Sequence, residues 1–580
     1  MFMIRFQQFN ILFITLNKLS LTKTKDHFYK IKKSIGAKSK KIFYKYFILK
    51  VYNFLIQRSL GNRNHYPSKF PFELYELIDN NNSDSKDYKQ KIILPYKDLT
   101  IFTRNDINQP CEVLAANIIE PNNHKDININ FKKTKFLILP IAILDKEGFK
   151  EASTYQLELF FNNKKLGIEL KYLNRFHYLP IRTKNDIDKL KIISNIELPL
   201  AIGKPYASAQ RKTKRPKLII HMHIDALPQS IIDKYGLDIM PNTKRFFTER
   251  GTCFSNAYAQ SEWTLPSVAS TFTGAYTNKH LLYHPKKKKS LSIETIANTL
   301  QKNGYKTFAC SSVQRINPGT SFDKGFDRFI LAPFENQNYI INEALEQLNA
   351  FDCDQYIFLA FMDIHEAHRL QPISTQISSD INDFQFREEK SNRTMKNYDK
   401  ERLGLLRNSL YNFDGKLEKL YKAINNFDKD AIVILHSDHG ISFMSKTEEL
   451  LSKEREKVIF LYKNNTPARN CSEIKELRDL PSMICNDLGI KSSFKHNNKP
   501  HVITESLYPN RNYEVAVRSN KCVLFFKITW DNLMKKSISE YSVSMHPSDN
   551  EEVELPLQHT EYESLLLAAK SHTLELFKNI

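Results

Sequence analysis

Residues 431–440 read AIVILHSDHG, in which an apolar run ends in a Ser-Asp-His-Gly turn. Two other apolar runs also end in polar residues: LIIHMHI at 218–224 precedes Asp225, and YIFLAFM at 356–362 precedes His365. Nearly continuous apolar runs of this length are typical of strands that are buried on both faces of a parallel sheet. Because the carboxyl ends of parallel strands meet at one edge, where ligands bind, we expect these polar residues to lie together.

The segments around these runs predict the α/β fold class. Further strand-like runs occur at 307–311 and 458–462. Helical patterns separate the runs and occupy residues 241–250, 292–303, 340–350 and 402–425. Alternation of strands and helices indicates a sheet covered by helices on both faces. We therefore predict that all five apolar runs form parallel strands of one sheet.

The expected edge of the sheet carries donors that suit a divalent metal. Asp225, Asp438 and His439 offer the carboxylate oxygen and imidazole nitrogen atoms that such ions bind. Between the first two strands lies the hydroxyl-rich segment QSEWTLPSVASTFTG at 260–274, which continues into a helix-compatible run. A metal and a helix N-terminus would both stabilise an alkoxide there. Each residue also has a structural interpretation as a helix cap or turn, but their joint occurrence favours a catalytic site.

The ordered motifs from Asp225 to the C-terminus resemble the sulfatase-like family of the alkaline phosphatase superfamily. The motifs are FSNAYAQSEWTLPSVASTFTG (254–274), GFDRF (325–329), FMDIHEAH (361–368), HSDHG (436–440), HVITESLYPNRNYEVAVRSNKCVLF (501–525) and HPSDNEEVELPL (546–557). The resemblance implies a sheet sandwiched by helices, with a small C-terminal α+β subdomain. It also implies a metal bound by Asp225, Thr264, Asp438 and His439, with Thr264 as the nucleophile.

Thr264 is a departure from the sulfatases within that family. Sulfatases place a Cys or Ser at this position, oxidise it to formylglycine, and follow it with Pro-Ser-Arg. Here residues 264–268 read TLPSV, and Ala226 replaces the second Asp of the family's metal site. Because threonine carries a methyl group on its β-carbon, its oxidation gives a ketone and not the required aldehyde. The pattern resembles the phosphodiesterase and phosphoglycerol- or phosphoethanolamine-transferase members, which implies a phosphate ester substrate, with sulfate less favoured, and Zn²⁺, Mn²⁺ or Ca²⁺ as cofactor.

Several histidines receive roles from the same resemblance. His365 matches the family's substrate-side histidine, although Glu366, Ala367 and His368 replace the usual continuation of that segment. We interpret His365 as catalytic and His368 as substrate-binding, and His280 matches a family histidine near the substrate pocket. The histidines inside the apolar strands are interpreted as core residues or as partners of the metal ligands; they are His221, His223 and His436.

Changes in composition divide the chain into four predicted segments. A basic segment at 1–90 ends near the turn-rich NNNSDSKDYK (80–89), and a β-rich accessory domain follows at 91–205. A basic linker leads into the catalytic domain at 215–500, and the C-terminal subdomain occupies 501–580.

Charge and cysteine content bear on partners and location. The net charge is +21, but Lys, Asn and Ile are spread along the whole chain and no nucleic-acid motif accompanies them, so we expect no nucleic-acid partner. Residues 18–58 are basic and aromatic, which predicts either peripheral contact with an anionic membrane or a solvated surface. The apolar run at 9–16 is too short to span a bilayer and lacks a signal cleavage site. Seven singly spaced cysteines favour a reducing compartment, and we expect a cytoplasmic location.

Two functional hypotheses follow from these observations. The first is a metal-dependent hydrolase or transferase that acts on a phosphorylated, or less favourably sulfated, small molecule, glycan or lipid head group. The second is a catalytically silent sulfatase-like protein that binds such a ligand. Because the nucleophile occurs together with the metal ligands, the sequence favours the enzyme.

Overall fold

The computed structural model describes most of the chain from Leu74 onward. The described residues are 74–76, 90–95, 111–123, 127–145, 154–161, 164–171, 173–207, 218–283, 291–333, 335–351, 353–365, 400–440, 451–507 and 511–580. The predicted membrane-contact segment at 18–58 lies outside these residues, and so does His368. Among the described helices, none combines the length and apolar composition needed to cross a bilayer.

A β-rich region precedes the catalytic domain, as the sequence predicted. Its strands are β1 (Leu74–Glu76), β2 (Gln90–Pro95), β3 (Cys111–Ile119), β4 (Ile127–Ile143), β5 (Tyr155–Phe161), β6 (Lys164–Leu170), β7 (His177–Ser194), β8 (Leu200–Gly203) and β9 (Tyr206–Ala207), with a 3-10 turn at Pro121–Asn123. All pairs among these strands are antiparallel. Strand β3 also pairs antiparallel with a catalytic strand, with Leu114 opposite Arg328. The β-rich region therefore continues the catalytic sheet and does not form a separate sheet.

The catalytic domain is built on a mixed sheet between two helical layers. Its strands are β10 (Leu218–Ile224), β11 (Arg250–Phe254), β12 (Ala257–Tyr258), β13 (Lys306–Ser311), β14 (Arg328–Leu331), β15 (Gln355–Phe361), β16 (Ile432–Ser437), β17 (Phe460–Pro467), β18 (Arg469–Cys471) and β19 (Lys475–Glu476). Its helices are α1 (Gln229–Tyr235), α2 (Pro241–Glu249), α3 (Thr264–Thr273), α4 (Thr277–His280), α5 (Ile296–Lys302), α6 (Gln337–Ala350), α7 (Lys400–Phe427), α8 (Lys453–Glu456) and α9 (Leu480–Asp487), with 3-10 turns at Leu237–Ile239, Pro318–Thr320 and Leu477–Asp479.

Four of the five apolar runs are parallel strands, as predicted. Strand β10 lies between β15 and β16, and β13 pairs with β15, all in parallel. The prediction was wrong for the fifth run, because β17 pairs antiparallel with β16. Strand β17 lies between β16 and β11 and is antiparallel to both, and a buried apolar run has the same composition in either direction.

Side chains alternate between two cores along each central strand, because successive residues of a strand point to opposite faces. In β10, Leu218, Ile220 and Met222 face the core that α2, α6 and α7 cover. Ile219 faces the opposite core, which α3, α5 and α9 cover. Asp225 has the same parity as Ile219, so the strand end directs it towards the face of the sheet on which α3 lies.

The C-terminal subdomain is α+β, as predicted. Its strands form an antiparallel sheet in sequence order, β20 (Val502–Ser506), β21 (Tyr513–Arg518), β22 (Cys522–Ile528) and β23 (Ser542–Pro547). The short helix α10 (Trp530–Met534) follows β22, and α11 (Tyr562–Asn579) packs against the sheet through apolar residues such as Leu565 and Leu576.

A buried ion pair joins the β-rich region to the catalytic sheet and supports a stability prediction. Arg328 Nε lies 2.6 Å from Glu112 Oε1, which also accepts a 2.5 Å hydrogen bond from the Tyr178 hydroxyl. Replacing Glu112 with alanine would leave the largely buried guanidinium with the longer 3.8 Å contact to Glu343, and breaking a fully buried pair, the upper limit here, costs about 3–5 kcal/mol. We expect a marked decrease in the urea midpoint of unfolding. Asp238→Asn, which removes an exposed partner of Lys244, is the control and should cost less than about 1 kcal/mol; equal losses in the two variants would contradict the prediction.

Candidate active site

Asp225, Asp438 and His439 lie together at the carboxyl edge of the sheet, as the sequence predicted. Strands β10 and β16 are neighbours, with Ile224 opposite Ser437, so the residues that follow them emerge side by side. His439 Nε2 is 3.5 Å from Asp225 Oδ1 and 3.5 Å from Asp438 Oδ2. All three side chains are buried.

Thr264 is the first residue of α3 and lies beside this cluster. Its Oγ1 is 3.3 Å from His439 Nε2. Ser267, one turn further along, donates a 2.6 Å hydrogen bond to the backbone carbonyl of Asp438 and so ties the helix to the strand end. The N-cap residue Trp263 makes no side-chain capping hydrogen bond to α3, and the N–H groups of Thr264 and Leu265 lie at the positive end of this helix, which favours negative charge at the site.

The Asp438 carboxylate is held by backbone donors on one oxygen only. The N–H groups of Ala226 and His439 donate to Oδ1 at 3.1 and 2.9 Å. Within the described residues, Oδ2 has no hydrogen-bond donor. Burial raises the pKa of Asp438, but the adjacent imidazoles of His439 and His223 and these N–H groups outweigh burial, so the pKa lies below its ordinary value. Asp438 is therefore an anion with one oxygen open to a cation.

The His439 imidazole is oriented as a metal ligand. Its Nδ1 lies 2.7 Å from the carbonyl oxygen of Gly440, so Nδ1 carries the proton and Nε2 keeps its lone pair. Nε2 is the nitrogen that faces Thr264 and the two carboxylates. A side chain at Gly440 would place its Cβ 1.8 Å from the Glu454 carbonyl oxygen, so only glycine fits after this histidine.

His223 also belongs to the cluster, although the sequence interpretation left it as a core residue or a partner of the ligands. It is completely buried, and its Nε2 is 3.8 Å from Asp438 Oδ2. One donor atom from each of His223, Asp225 and Asp438 can be chosen so that all three lie within 4.8 Å of one another. Strand alternation was the signal that could have identified it, since His223 and Asp225 are two residues apart and share a face.

The spacing of these donors fits a divalent ion. Zinc binds nitrogen and carboxylate oxygen at about 2.0–2.2 Å, which places neighbouring ligands of a tetrahedron roughly 3.3–3.6 Å apart. The distances from His439 Nε2 to Thr264, Asp225 and Asp438 are 3.3, 3.5 and 3.5 Å. The residues could therefore hold a metal without large rearrangement.

His365 is the second predicted catalytic residue, and the structure brings it next to the cluster. Its ring is perpendicular to that of His439, at 88°, with the ring centroids 6.3 Å apart. It is only partly buried, so it combines nearness to the cluster with access to solvent. The neighbouring Asp363 has a structural contact, because its Oδ1 accepts a 3.0 Å hydrogen bond from the N–H of Gln337 at the start of α6.

His280 is the last residue of α4 and contacts the later part of α3. Its Nε2 is 3.0 Å from Ser270 Oγ, and its Nδ1 accepts a 3.1 Å hydrogen bond from the N–H of Leu282. Ser270 is six residues after Thr264, which corresponds to about 9 Å along the helix axis. The described contacts of His280 are with this helix and the following turn, and its contact with substrate stays a prediction.

The buried His280 predicts a pH dependence of stability. Burial lowers the pKa of His280 from 6.5 to about 4, so the native imidazole stays neutral where the unfolded one takes up a proton. The neutral imidazole of His280 makes its full contribution to the free energy of unfolding above pH 6.5. This contribution falls by about 1.4 kcal/mol per pH unit as the pH decreases towards 4. The free energy of unfolding is measured in urea at pH 7 and pH 5, and His280→Gln should lose less of it on acidification than the wild-type protein. Equal losses in the two proteins would contradict the prediction that His280 causes this pH dependence.

The C-terminal subdomain contacts the loop that leads to Thr264. Two residues before Thr264, the buried Glu262 accepts hydrogen bonds from Ser506 Oγ at 2.6 Å and from Ser261 Oγ at 2.7 Å. Ser261 Oγ also lies 2.9 Å from the backbone carbonyl of Glu505. Strand β20 therefore fixes the segment that leads into α3, which gives the subdomain a direct part in positioning Thr264.

Comparison with known proteins gives a match that spans this cluster. A family model described as "Sulfatase" matches residues 225–469. This segment is a sulfatase-family domain. The match begins at Asp225 and includes Thr264, Asp438 and His439. No curated protein sequence matches the chain.

Solved structures similar to this chain include proteins with three different descriptions. One is a protein in complex with its substrate D-glucosamine-2-N,6-O-disulfate, at 13% identity and a TM-score of 0.48, covering 63% of this chain and 98% of that chain. Another is Ps i-CgsB in complex with k-i-k-neocarrahexaose, at 14% identity and 0.44, covering 62% and 93%. A third is the phosphonate monoester hydrolase of Agrobacterium radiobacter, at 12% identity and 0.46, covering 62% and 95%.

Proposed function

We propose that the sulfatase-family domain is a metal-dependent hydrolase or transferase of phosphate esters, with Thr264 as its nucleophile. The observation that carries the proposal is the position of the Thr264 hydroxyl. It lies 3.3 Å from the lone-pair nitrogen of His439, beside two buried carboxylates and at the N-terminus of a helix. A hydroxyl in this setting is activated as a nucleophile.

The residues that would hold the metal are Asp225, Asp438, His439 and Thr264. When bound, a divalent ion would lower the pKa of a neighbouring hydroxyl and neutralise charge on the substrate oxygens. In the chain itself, His439 is held with Nδ1 protonated by the Gly440 carbonyl, so it presents a fixed Nε2. The donor set of carboxylates, imidazole and hydroxyl accepts Zn²⁺ or Mn²⁺ readily and Ca²⁺ less readily.

The chain's own groups account for the two halves of the reaction. The Thr264 hydroxyl gives its proton to solvent water, its Oγ1 attacks phosphorus, and the bond from phosphorus to the leaving oxygen breaks in line with the attack. The N–H groups of the first turn of α3 stabilise the charge that spreads over the phosphoryl oxygens. His365 faces the cluster from the solvent side and donates a proton to the leaving oxygen. Water or an acceptor hydroxyl then attacks the phosphothreonine and gives its proton to the now neutral His365, while the bond from phosphorus to Thr264 Oγ1 breaks and Oγ1 regains a proton from solvent.

The nature of residue 264 favours phosphate over sulfate. The formylglycine route to sulfate ester cleavage needs an aldehyde, which threonine cannot give. We propose a phosphorylated small molecule, glycan or lipid head group as the substrate class. We also propose a cytoplasmic location, because the seven cysteines are spaced singly along the sequence.

The function is tested with three aryl esters that differ only in the group to be cleaved. Metal-free protein is reconstituted with Zn²⁺ or Mn²⁺ and assayed on an aryl phosphate, an aryl phosphodiester and an aryl sulfate, with and without glycerol as an acceptor alcohol. We expect release of the aryl alcohol from a phosphate ester only, and an increase with glycerol would identify a transferase. Preference for the sulfate would contradict the proposal. Metal binding without turnover of any ester, with or without acceptor, would favour the catalytically silent alternative.

A further inference from the structure

His223 is a buried imidazole whose polar atoms lack partners. Its side chain has no exposed surface, and neither Nδ1 nor Nε2 makes a hydrogen bond within the part of the chain that the structure describes. A buried polar group left in this condition costs about 1–3 kcal/mol. The carboxylate oxygen Asp438 Oδ2 lies 3.8 Å from its Nε2, which is too long for a hydrogen bond.

The other two histidines on this face of the sheet are satisfied. His221 Nδ1 lies 2.9 Å from the Tyr356 hydroxyl, and His221 Nε2 lies 2.7 Å from His436 Nε2. His436 Nδ1 lies 3.0 Å from the Ser437 carbonyl, so His436 donates there and accepts from His221. The ring of His223 packs against that of His436 with their centroids 5.4 Å apart and does not join this series of hydrogen bonds.

The unsatisfied nitrogen atoms of His223 lie at the cluster of metal ligands. The atom facing it, Asp438 Oδ2, is the carboxylate oxygen that lacks a donor in the described residues. Ala226, the residue directly after Asp225, contributes no side-chain donor to the site. With a shared ion, His223 and Asp438 Oδ2 would both gain the partner that each lacks.

We propose that His223 is a metal ligand, and that the second imidazole makes this centre select a zinc-like transition ion over Ca²⁺ and Mg²⁺. The inference rests on the metal centre of the proposed function and adds a ligand from inside the strand. Imidazole nitrogen suits Zn²⁺ and its transition-metal neighbours, whereas Ca²⁺ and Mg²⁺ take oxygen ligands. Removing one imidazole should therefore weaken zinc binding far more than calcium binding.

The test is a comparison of metal affinities in metal-free wild-type protein and His223→Leu, which replaces the imidazole by an apolar side chain of similar size. Titration with Zn²⁺, Ca²⁺ and Mg²⁺ by calorimetry should show zinc affinity lowered by roughly 100-fold or more, since residues that only orient a ligand already give 10–100-fold. Affinity for Ca²⁺ and Mg²⁺ should change little. The metal-free variant should unfold at the same temperature as wild type or a higher one, because an unpartnered polar group has been removed.

Matched variants separate a ligand from a structural residue. His223→Asn serves if the leucine variant does not fold, and should show the same loss of zinc affinity. His572→Gln alters a buried histidine of α11 outside the cluster and should leave all three affinities unchanged. Unchanged zinc affinity in both His223 variants would overturn the proposal. Equal losses of zinc and calcium affinity, together with a lower unfolding temperature of the metal-free variant, would also overturn it. These measurements need no turnover. A wild-type protein that binds zinc through His223 but cleaves no ester would refute the proposed function and leave the assignment of His223 as a ligand intact.

Discussion

Thr264→Val is expected to lower kcat/KM for a phosphate ester by about 10⁴-fold or more, because the variant keeps the shape of the side chain and removes only the nucleophilic hydroxyl. Thr264 is buried at the start of α3, so an isosteric replacement leaves the packing of the helix intact. The measurement is steady-state hydrolysis of an aryl phosphodiester by metal-reconstituted protein.

Thr264→Ser is the matched control for this variant. Serine keeps the hydroxyl 3.3 Å from His439 Nε2 and loses only the methyl group. We expect the serine variant to retain measurable phosphodiester turnover while the valine variant has none. Comparable turnover in the valine variant and the wild type would show that another group attacks the substrate.

Asp438→Asn is expected to remove both metal binding and turnover. The amide oxygen can still accept from the N–H groups of Ala226 and His439, so the local backbone is preserved. The negative charge, which a cation requires at Oδ2, is lost. We expect metal affinity to fall by roughly 100-fold or more, beyond the 10–100-fold typical of residues that only support ligands, and turnover to fall with it. Metal content after dialysis and phosphodiester hydrolysis measure the two effects.

Asp414→Asn is the control for loss of a buried carboxylate elsewhere in the domain. Asp414 accepts hydrogen bonds from the N–H groups of Asn242 and Thr243 at 2.7 and 2.8 Å and so caps α2. This variant should lose stability and keep its metal. If Asp438→Asn retained metal as well as the Asp414 variant does, Asp438 would not be a ligand.

The strands that lead to the site could be predicted because each has a clear pattern in its own local sequence. Runs such as AIVILHS are long, apolar and followed at once by polar residues, and the structure places β16 at Ile432–Ser437. The direction of β17 was not encoded in its apolar pattern, since a buried strand has the same composition whether its neighbour is parallel or antiparallel. The pairing of β17 with β16 and with β11, which is distant in sequence, distinguishes the two cases.

The fusion of the β-rich region with the catalytic sheet was also beyond local patterns. It depends on pairing between Leu114 and Arg328, which are far apart in sequence and carry no motif that links them. At the site, Asp225, Asp438 and His439 could be placed by counting strand ends. His223 could not be identified by composition, because a histidine in an apolar strand is usually a hydrogen-bonded core residue, as His221 and His436 are.

The most direct test of the Thr264 mechanism is a search for the covalent intermediate. Metal-reconstituted protein is mixed with an aryl phosphodiester, quenched with acid during turnover and digested, and the peptide that contains Thr264 is sequenced by mass spectrometry. We predict a phosphoryl ester on Thr264 in the wild-type protein and none in the Thr264→Val variant. Turnover of the ester with modification of a different residue, or with no covalent intermediate at any quench time, would contradict the assignment of Thr264 as the nucleophile.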